Sequence, residues 1–187
     1  MNYDTSLENI LDFLWEPNIE IECIWKVSQQ QFQHIKNILD SYKCSHNILS
    51  DELIYDNDVK VINTNTNHNH GSKLCQENVF NHTFIQKKTL LKSIHLNDYK
   101  IKASSETIIT QKPKLFKLKR TKNRYRYNFN WFYIDITSVK VKNQLNNNHE
   151  YSYEIELELN IDICRSYNIN NLSKYLSKQI YHINQII

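Results

Sequence analysis

Two short acidic segments, one near each end of the chain, alternate carboxylates with aliphatic residues: Glu20-Ile21-Glu22 and Glu154-Ile155-Glu156-Leu157-Glu158. A period of two is the strand period, so Glu20 and Glu22 share one face, as do Glu154, Glu156 and Glu158, at a spacing of about 6.6 Å. Each like-charge pair at that spacing repels by roughly 2.5 kcal/mol at an effective dielectric near 20. The face must therefore be solvated or carry a cation.

The basic counterpart lies between them. In Lys117-Leu118-Lys119-Arg120-Thr121-Lys122-Asn123-Arg124-Tyr125-Arg126-Tyr127, an extended chain puts Arg120, Lys122, Arg124 and Arg126 on one face with nothing apolar beside them. Lys100-Ile101-Lys102-Ala103-Ser104-Ser105-Glu106 repeats the pattern, placing Lys100, Lys102 and Glu106 together. An open sheet would present these charges to water. A closed barrel would enclose them, with acidic strands for a divalent cation and basic strands for the polyanion it bridges.

Composition limits the chemistry. The chain has 187 residues, enough for one domain with a real core, and its net charge of +3 is too small for a general nucleic-acid coat. Gly71 is its single glycine, which excludes glycine-rich phosphate loops, so any bound phosphate must be held by side chains. Cys23, Cys44, Cys75 and Cys164 form no C-x-x-C motif, and no apolar run approaches membrane or signal-peptide length. An intracellular, soluble protein with core thiols is expected.

The element pattern is mainly strand. Thr5 and Glu8 have capping-box spacing ahead of the stripe Leu7, Ile10, Leu11 and Leu14, predicting a first helix that Pro17 ends. A strand over 19–27 precedes a helix from Ser28, with Gln31 at the capping position and Phe32, Ile35, Leu39 and Tyr42 inward. Residues 63–72 read as a polar loop holding the solvated His68 and His70, and 80–163 as almost continuous strand broken at 143–149 into a hairpin. Leu172, Tyr175, Leu176, Gln179 and Ile183 predict a closing helix. No internal repeat or domain boundary is visible, so 1–187 reads as a single domain.

In order and spacing, Glu20/Glu22, the Lys100/Lys102 strand, Arg120-Thr121-Lys122-Asn123-Arg124, Asp135-Ile136-Thr137 and Glu154/Glu156/Glu158 resemble the motifs of the fungal, protozoan and viral metal-dependent RNA 5′-triphosphatases of mRNA capping. The resemblance implies an α+β, mainly β fold: an eight-stranded antiparallel closed barrel, a triphosphate tunnel, with helices packed outside. It implies Mn2+ or Mg2+ held by Glu20, Glu22 and Glu158, and a catalytic set of Glu156, Asp135, Glu154 and Glu106. Glu156 and Asp135 would hold metal-bound waters, and Glu106 would match a glutamate that orients the attacking water. Arg120, Lys122, Arg124, Arg126, Lys100, Lys102 and Thr137 would bind phosphate. The chain departs from the family pattern at Tyr133, where an arginine is usual, and at Lys100 or Lys102, where the middle-strand base is usually arginine.

The implied reaction is removal of the γ-phosphate from triphosphate-ended RNA. The implied partners are that RNA and a separate guanylyltransferase, a homodimer is compatible with the reading, no membrane is involved, and the nucleus follows for a eukaryotic source. Two alternatives remain. Related tunnel enzymes hydrolyse inorganic tripolyphosphate or thiamine triphosphate and begin E-x-E-x-K, whereas Ile24 stands at the lysine position here. A non-enzymatic module could also stack RNA on Tyr125, Tyr127, Phe129 and Trp131, residues a β-rich core would equally use.

Overall fold

The computed structural model describes residues 3–43, 45–55, 59–68, 80–111, 116–143 and 149–187. Eight antiparallel strands form a closed barrel: β1 (Ile19–Val27), β2 (His46–Ile54), β3 (Val59–His68), β4 (Phe80–His95), β5 (Tyr99–Ile108), β6 (Leu118–Asn128), β7 (Phe132–Asn143) and β8 (His149–Leu159). The order around the barrel is β1-β5-β4-β3-β2-β6-β7-β8, so the acidic strands β1 and β8 are neighbours although far apart in sequence. Closure leaves no edge, and each strand finds two hydrogen-bonding partners.

The alternation read from sequence sets which side faces in. On β1, Ile19, Ile21, Cys23 and Trp25 are buried in the main apolar core, which lies outside the barrel wall beneath the helices. Leu157, Ile155, Ile136 and Ile134 continue that layer on β8 and β7. The charged even-numbered positions of β1, β5, β6 and β8 consequently point into the barrel. A second, smaller apolar cluster of Tyr55, Val59 and Val61 covers the far wall with Ile109 and Phe116 packed against it.

Helices α1 (Tyr3–Leu11), α2 (Gln29–Tyr42), the short α3 (Ile161–Cys164) and α4 (Ile169–Ile186) cover this outer core. Leu7, Ile10, Leu11 and Leu14 are fully buried, as their spacing predicts, and α1 packs on α4. α1 spans Tyr3–Leu11, which places Thr5 within the helix and not at the residue ahead of it. Glu16 turns extended just before Pro17, the expected stop. α2 has the predicted capping box, with Ser28 accepting from the Gln31 N–H at 3.2 Å while the Gln31 side chain accepts from the Ser28 N–H at 2.9 Å. Phe32 and Ile35 are buried, but Tyr42, at the last helical position, is 79% exposed and corrects the expected inward stripe. On α4, Leu172, Leu176, Ile180 and Ile183 are buried, while Tyr175 is half exposed.

Two further expectations change. β3 runs to His68, so 63–68 is strand, not loop: its Asn and Thr residues look loop-like in composition, but β2 and β4 pair its backbone from both sides. Residues 69–72, with His70, lie outside the described residues. β8 ends at Leu159, where Asn160 starts a helical turn, so the strand pattern does not reach Ile163. The β7–β8 hairpin is as expected, with 144–148 outside the described residues. Cys23 and Cys164 are buried and unpaired core thiols, whereas Cys44 and Cys75 lie outside the described residues. No described helix is long and apolar enough to cross a membrane.

Tyr127 ties α2 to the barrel: its ring is fully buried and its hydroxyl donates to Asp40 on α2 at 2.6 Å. Tyr127→Phe removes that bond, while Asp40, which is exposed, keeps its ion pair with Lys36. It should lower unfolding stability by about 1 kcal/mol in a urea titration, with the denaturant slope unchanged.

Candidate active site

The barrel encloses a polar cavity of about 360 Å³, lined by carboxylates, lysines and arginines from all strands except β7. Every charged residue predicted on β1, β5, β6 and β8 lines it: Glu20, Glu22, Lys100, Lys102, Glu106, Arg120, Lys122, Arg124, Arg126, Glu154, Glu156 and Glu158. Asp135 and Thr137 face the interior by register, opposite Glu156 and Glu154, but lie deeper in the wall and are fully buried.

Strand register explains the grouping. Glu22 stands opposite Lys102 on one side and Glu158 on the other, while Ile24 stands opposite Lys100 and Glu156. On the β1/β4/β5 wall, Lys88 bridges Glu20, Glu22 at 2.9 Å and Glu106 at 3.2 Å, and Lys102 meets Glu22 at 2.7 Å. On the β6/β7/β8 wall, Arg126 holds Asp135 through two bonds of 2.8 and 2.7 Å and also reaches Glu158. Arg124 lies 3.3 Å from Asp135 and 3.2 Å from Glu156. On the β2/β3/β6 wall, Glu52 meets Arg120 at 3.0 Å and Lys122 at 3.4 Å, with Lys60 beside them. In these ion pairs the first two walls each set three carboxylates against two cations, while Lys100 and Glu154 also line the cavity. The third holds one carboxylate against three.

Burial and crowding shift these groups in opposite directions. Burial and the neighbouring Glu22 raise Glu20 to about 8, with Lys88 opposing. Burial raises Glu158 to about 7 against the pull of Arg126, with Asp135 adding to the rise. Glu156 is raised for the same reason, chiefly burial, despite Arg124. Burial acts on Glu22 too, but Lys88 and Lys102 outweigh it and hold its carboxyl well below the usual range. On the basic wall, burial lowers Lys60 to about 8, Glu52 opposing and Lys88 and Lys122 assisting. Lys88 goes the other way, its burial outweighed by Glu22, Glu20 and Glu106.

Glu20, Glu22 and Glu158 are hard oxygen donors on adjacent strands and one face, and the raised Glu20 and Glu158 mark a carboxylate set short of positive charge. That donor set fits a hard divalent cation. Among the described residues no three ligands converge in a ready-made cluster, because Lys88, Lys102 and Arg126 now hold the carboxylates. Behind this set, in the wall, the buried Thr137 hydroxyl oxygen finds no hydrogen-bond partner among the described residues.

A pH dependence follows. Glu20, Glu156 and Glu158 bind protons more tightly folded than unfolded, so folding stability falls as pH rises from about 5 through 8. Melting at pH 5.5 should lie above melting at pH 7.5 in metal-free buffer. Millimolar Mn2+ should narrow the gap, because it replaces the missing protons at the higher pH.

Sequence reading missed Lys88, Lys60 and Glu52. Lys60 and Glu52 were legible by the period-two rule: Val59 and Val61 are buried outward and leave Lys60 inward, and Glu52 precedes the outward Leu53. Lys88 was obscured by an irregularity between Leu90 and Lys92, which breaks the parity of β4. Tyr133, where the family pattern has arginine, sits opposite Glu158, and the Arg126 guanidinium lies 4.7 Å from its ring centre. Arg126 thus brings charge to that place from the neighbouring strand. The stacking surface proposed from Tyr125, Tyr127, Phe129 and Trp131 is core instead: Tyr127 is fully buried, and the other three pack against the apolar layer.

The model of the family described as "mRNA capping enzyme, beta chain" matches residues 16–180. No curated protein sequence matches the chain. Among solved structures, the Pct1 RNA triphosphatase of S. pombe superposes with a TM-score of 0.70 at 13% identity, over 100% of this chain and 92% of that one. The Mimivirus capping enzyme triphosphatase gives 0.62 at 20% identity, over 97% and 96%. A chain of the Schizosaccharomyces pombe Mediator head module gives 0.52 at 11% identity, over 89% and 95%. Likeness at these identities carries the barrel alone; the charged interior must carry the chemistry.

Proposed function

The chain belongs to the mRNA capping enzyme beta-chain family, the RNA 5′-triphosphatases of mRNA capping, and from that premise we propose that its hydrolysis takes place inside the barrel, with roles divided among the three walls. The observation that carries this reading is the enclosure of Glu20, Glu22 and Glu158 in one cavity with Arg120, Lys122, Arg124 and Arg126.

In the reaction, water attacks the γ-phosphorus in line, the bond to the β–γ bridging oxygen breaks, and diphosphate-ended RNA and inorganic phosphate leave. Glu20, Glu22 and Glu158 would hold Mn2+ or Mg2+, which supplies charge neutralisation of the phosphoryl oxygens. Arg124 and Arg126 would turn from Asp135, Glu156 and Glu158 toward the equatorial oxygens where negative charge spreads. Lys102, Lys88, Lys122, Arg120 and Lys100 would hold the remaining phosphates, with the Thr137 hydroxyl donating where it now has no partner. Glu156, Asp135 and Glu154 would fix the water shell of the site. Glu106, held by Lys88 and by Gln86 at 2.5 Å, stands next to Glu20 and would orient the attacking water.

The capping role implies triphosphate-ended RNA as substrate, a guanylyltransferase acting next, one tunnel domain and, for a eukaryotic source, the nucleus. Pct1 was solved bound to the Spt5 CTD, which supports looking for transcription-linked partners here too. Ile24 lines the tunnel where tripolyphosphatases place lysine, which favours the RNA substrate. The discriminating experiment compares triphosphate-ended RNA with tripolyphosphate under Mn2+ and Mg2+. RNA should be cleaved only at the γ-position, to a product that a guanylyltransferase can cap, and the chain should replace a deleted capping triphosphatase in yeast. Faster tripolyphosphate hydrolysis together with failed complementation would reassign the substrate.

A further inference from the structure

The tunnel's two mouths differ. At the Val27 end of β1, a second cavity of about 270 Å³ opens beside the tunnel, lined by Ile24, Lys26, His95, Leu96, Asn97, Tyr99 and Lys100. It adjoins the tunnel, with Ile24 and Lys100 lining both. The β4–β5 turn forms its outer wall, and Lys26 and His95 are exposed on it. Tyr99 is half-buried: its ring packs on the outer apolar layer, stacked on the buried Trp25 with ring centres 5.2 Å apart and planes 26° apart, and what is left of it lines this cavity.

The opposite mouth carries the reverse charge. Glu20 is the second residue of β1, Glu106 the third from last of β5 and Glu158 the second from last of β8, and antiparallel pairing brings these ends together. An RNA backbone leaving there would pass three carboxylates whose cations among the described residues, Lys88 and Arg126, are already paired to them. Leaving past Val27, it would pass Lys26, Lys100 and His95, against the carboxylate of Glu154 opposite Lys26, with the Tyr99 ring and the polar Asn97 for the first base. Lys26 lies about 13 Å along β1 from Glu22, two pleat repeats, so this mouth is also on the side away from the carboxylate set that would hold the cation at the γ-phosphate.

Resting on the RNA triphosphatase reading, we propose that the substrate enters through this mouth, with the first nucleoside seated in the groove of Lys26, His95 and Tyr99 and the α-, β- and γ-phosphates running inward from Lys100 toward Glu22. The ordinary logic of single-stranded RNA recognition applies there: cations along the backbone and an aromatic face for the base. The opposite mouth then serves water and released phosphate.

The test compares Michaelis constants for a triphosphate-ended RNA pentamer and for tripolyphosphate, which has no nucleoside to seat. Lys26→Glu and the double variant Lys26→Ala/His95→Ala alter exposed side chains, so folding should survive and can be checked by melting. The expected result is an RNA KM raised about tenfold, with a much smaller change for tripolyphosphate, and a flatter dependence of RNA KM on salt. His46→Glu, on the strand end opposite Arg126 at the other mouth, should show no such split between substrates. The proposal is overturned if both Lys26 variants leave the ratio of the two KM values unchanged, or if His46→Glu gives the larger RNA-specific effect. In either case a wild-type chain that still cleaves RNA leaves the enzyme reading standing. A wild-type chain that cleaves tripolyphosphate but no RNA overturns both.

Discussion

Glu20→Ala and Glu158→Ala should each abolish phosphate release from triphosphate-ended RNA, by on the order of 10³-fold or more in kcat, because each removes a carboxylate from the set that would hold the divalent cation. The fold should survive both changes. Lys88 keeps Glu22 and Glu106 when Glu20 is removed, and Arg126 keeps its paired bonds to Asp135 when Glu158 is removed. Since burial and crowding raise both carboxyls toward neutrality, their loss relieves repulsion in the folded state, and melting temperature above pH 7 should stay level or rise. Activity lost with stability kept would identify these glutamates as working against the fold for the sake of the ligand. Near-normal turnover at saturating metal would remove them from the metal site.

The opposite pattern is expected at Arg124. Its guanidinium pairs with Glu156 and with the fully buried Asp135, so Arg124→Ala leaves the buried Glu156 without its ion-pair partner and Asp135 with Arg126 alone, and should destabilise the protein by about 3 kcal/mol. For a chain of this length that corresponds to a fall in melting temperature of roughly 6–12 °C. Turnover should also fall about 10²–10³-fold, as when one donor to a developing negative charge is lost. Arg124→Lys separates the two effects. It restores the charge and much of the stability, but not the forked geometry that holds two acceptors at once, so kcat should recover far less than melting temperature. Equal recovery of both would reduce Arg124 to a structural ion-pair partner.

Most of this site was legible in the sequence because strand periodicity is simple and strict. One buried face on β1 forces Glu20 and Glu22 to the other, and the same holds for Glu154, Glu156 and Glu158 on β8 and for the basic row of β6. Closure was not legible from the residues alone. The pairing of β1 with both β5 and β8 is a long-range event, and only the resemblance of the motif order pointed to a barrel. Polar strands were the hardest to see. Asn63 and Thr64 look like loop by composition, yet the neighbouring strands and a bond from Thr83 to Asn63 at 2.8 Å hold them extended. Lys88 escaped because the irregularity after Leu90 shifts parity within β4, and it proves to be the cation that ties the predicted glutamates together. The aromatic row 125–131 was ambiguous for a different reason. Stacking surfaces and cores use the same rings, and only burial under α2 and α4 decides between them.

The most direct test of hydrolysis within the tunnel follows RNA labelled at the γ-phosphate, incubated with the wild-type chain and with Glu158→Ala, each with Mn2+ and with a chelator. The wild type with metal should release the label as inorganic phosphate and leave a diphosphate end, and the other three reactions should release none above background. Label released as pyrophosphate, or inorganic phosphate released equally by Glu158→Ala or in chelator, would contradict a metal-assisted γ-phosphate hydrolysis inside this barrel.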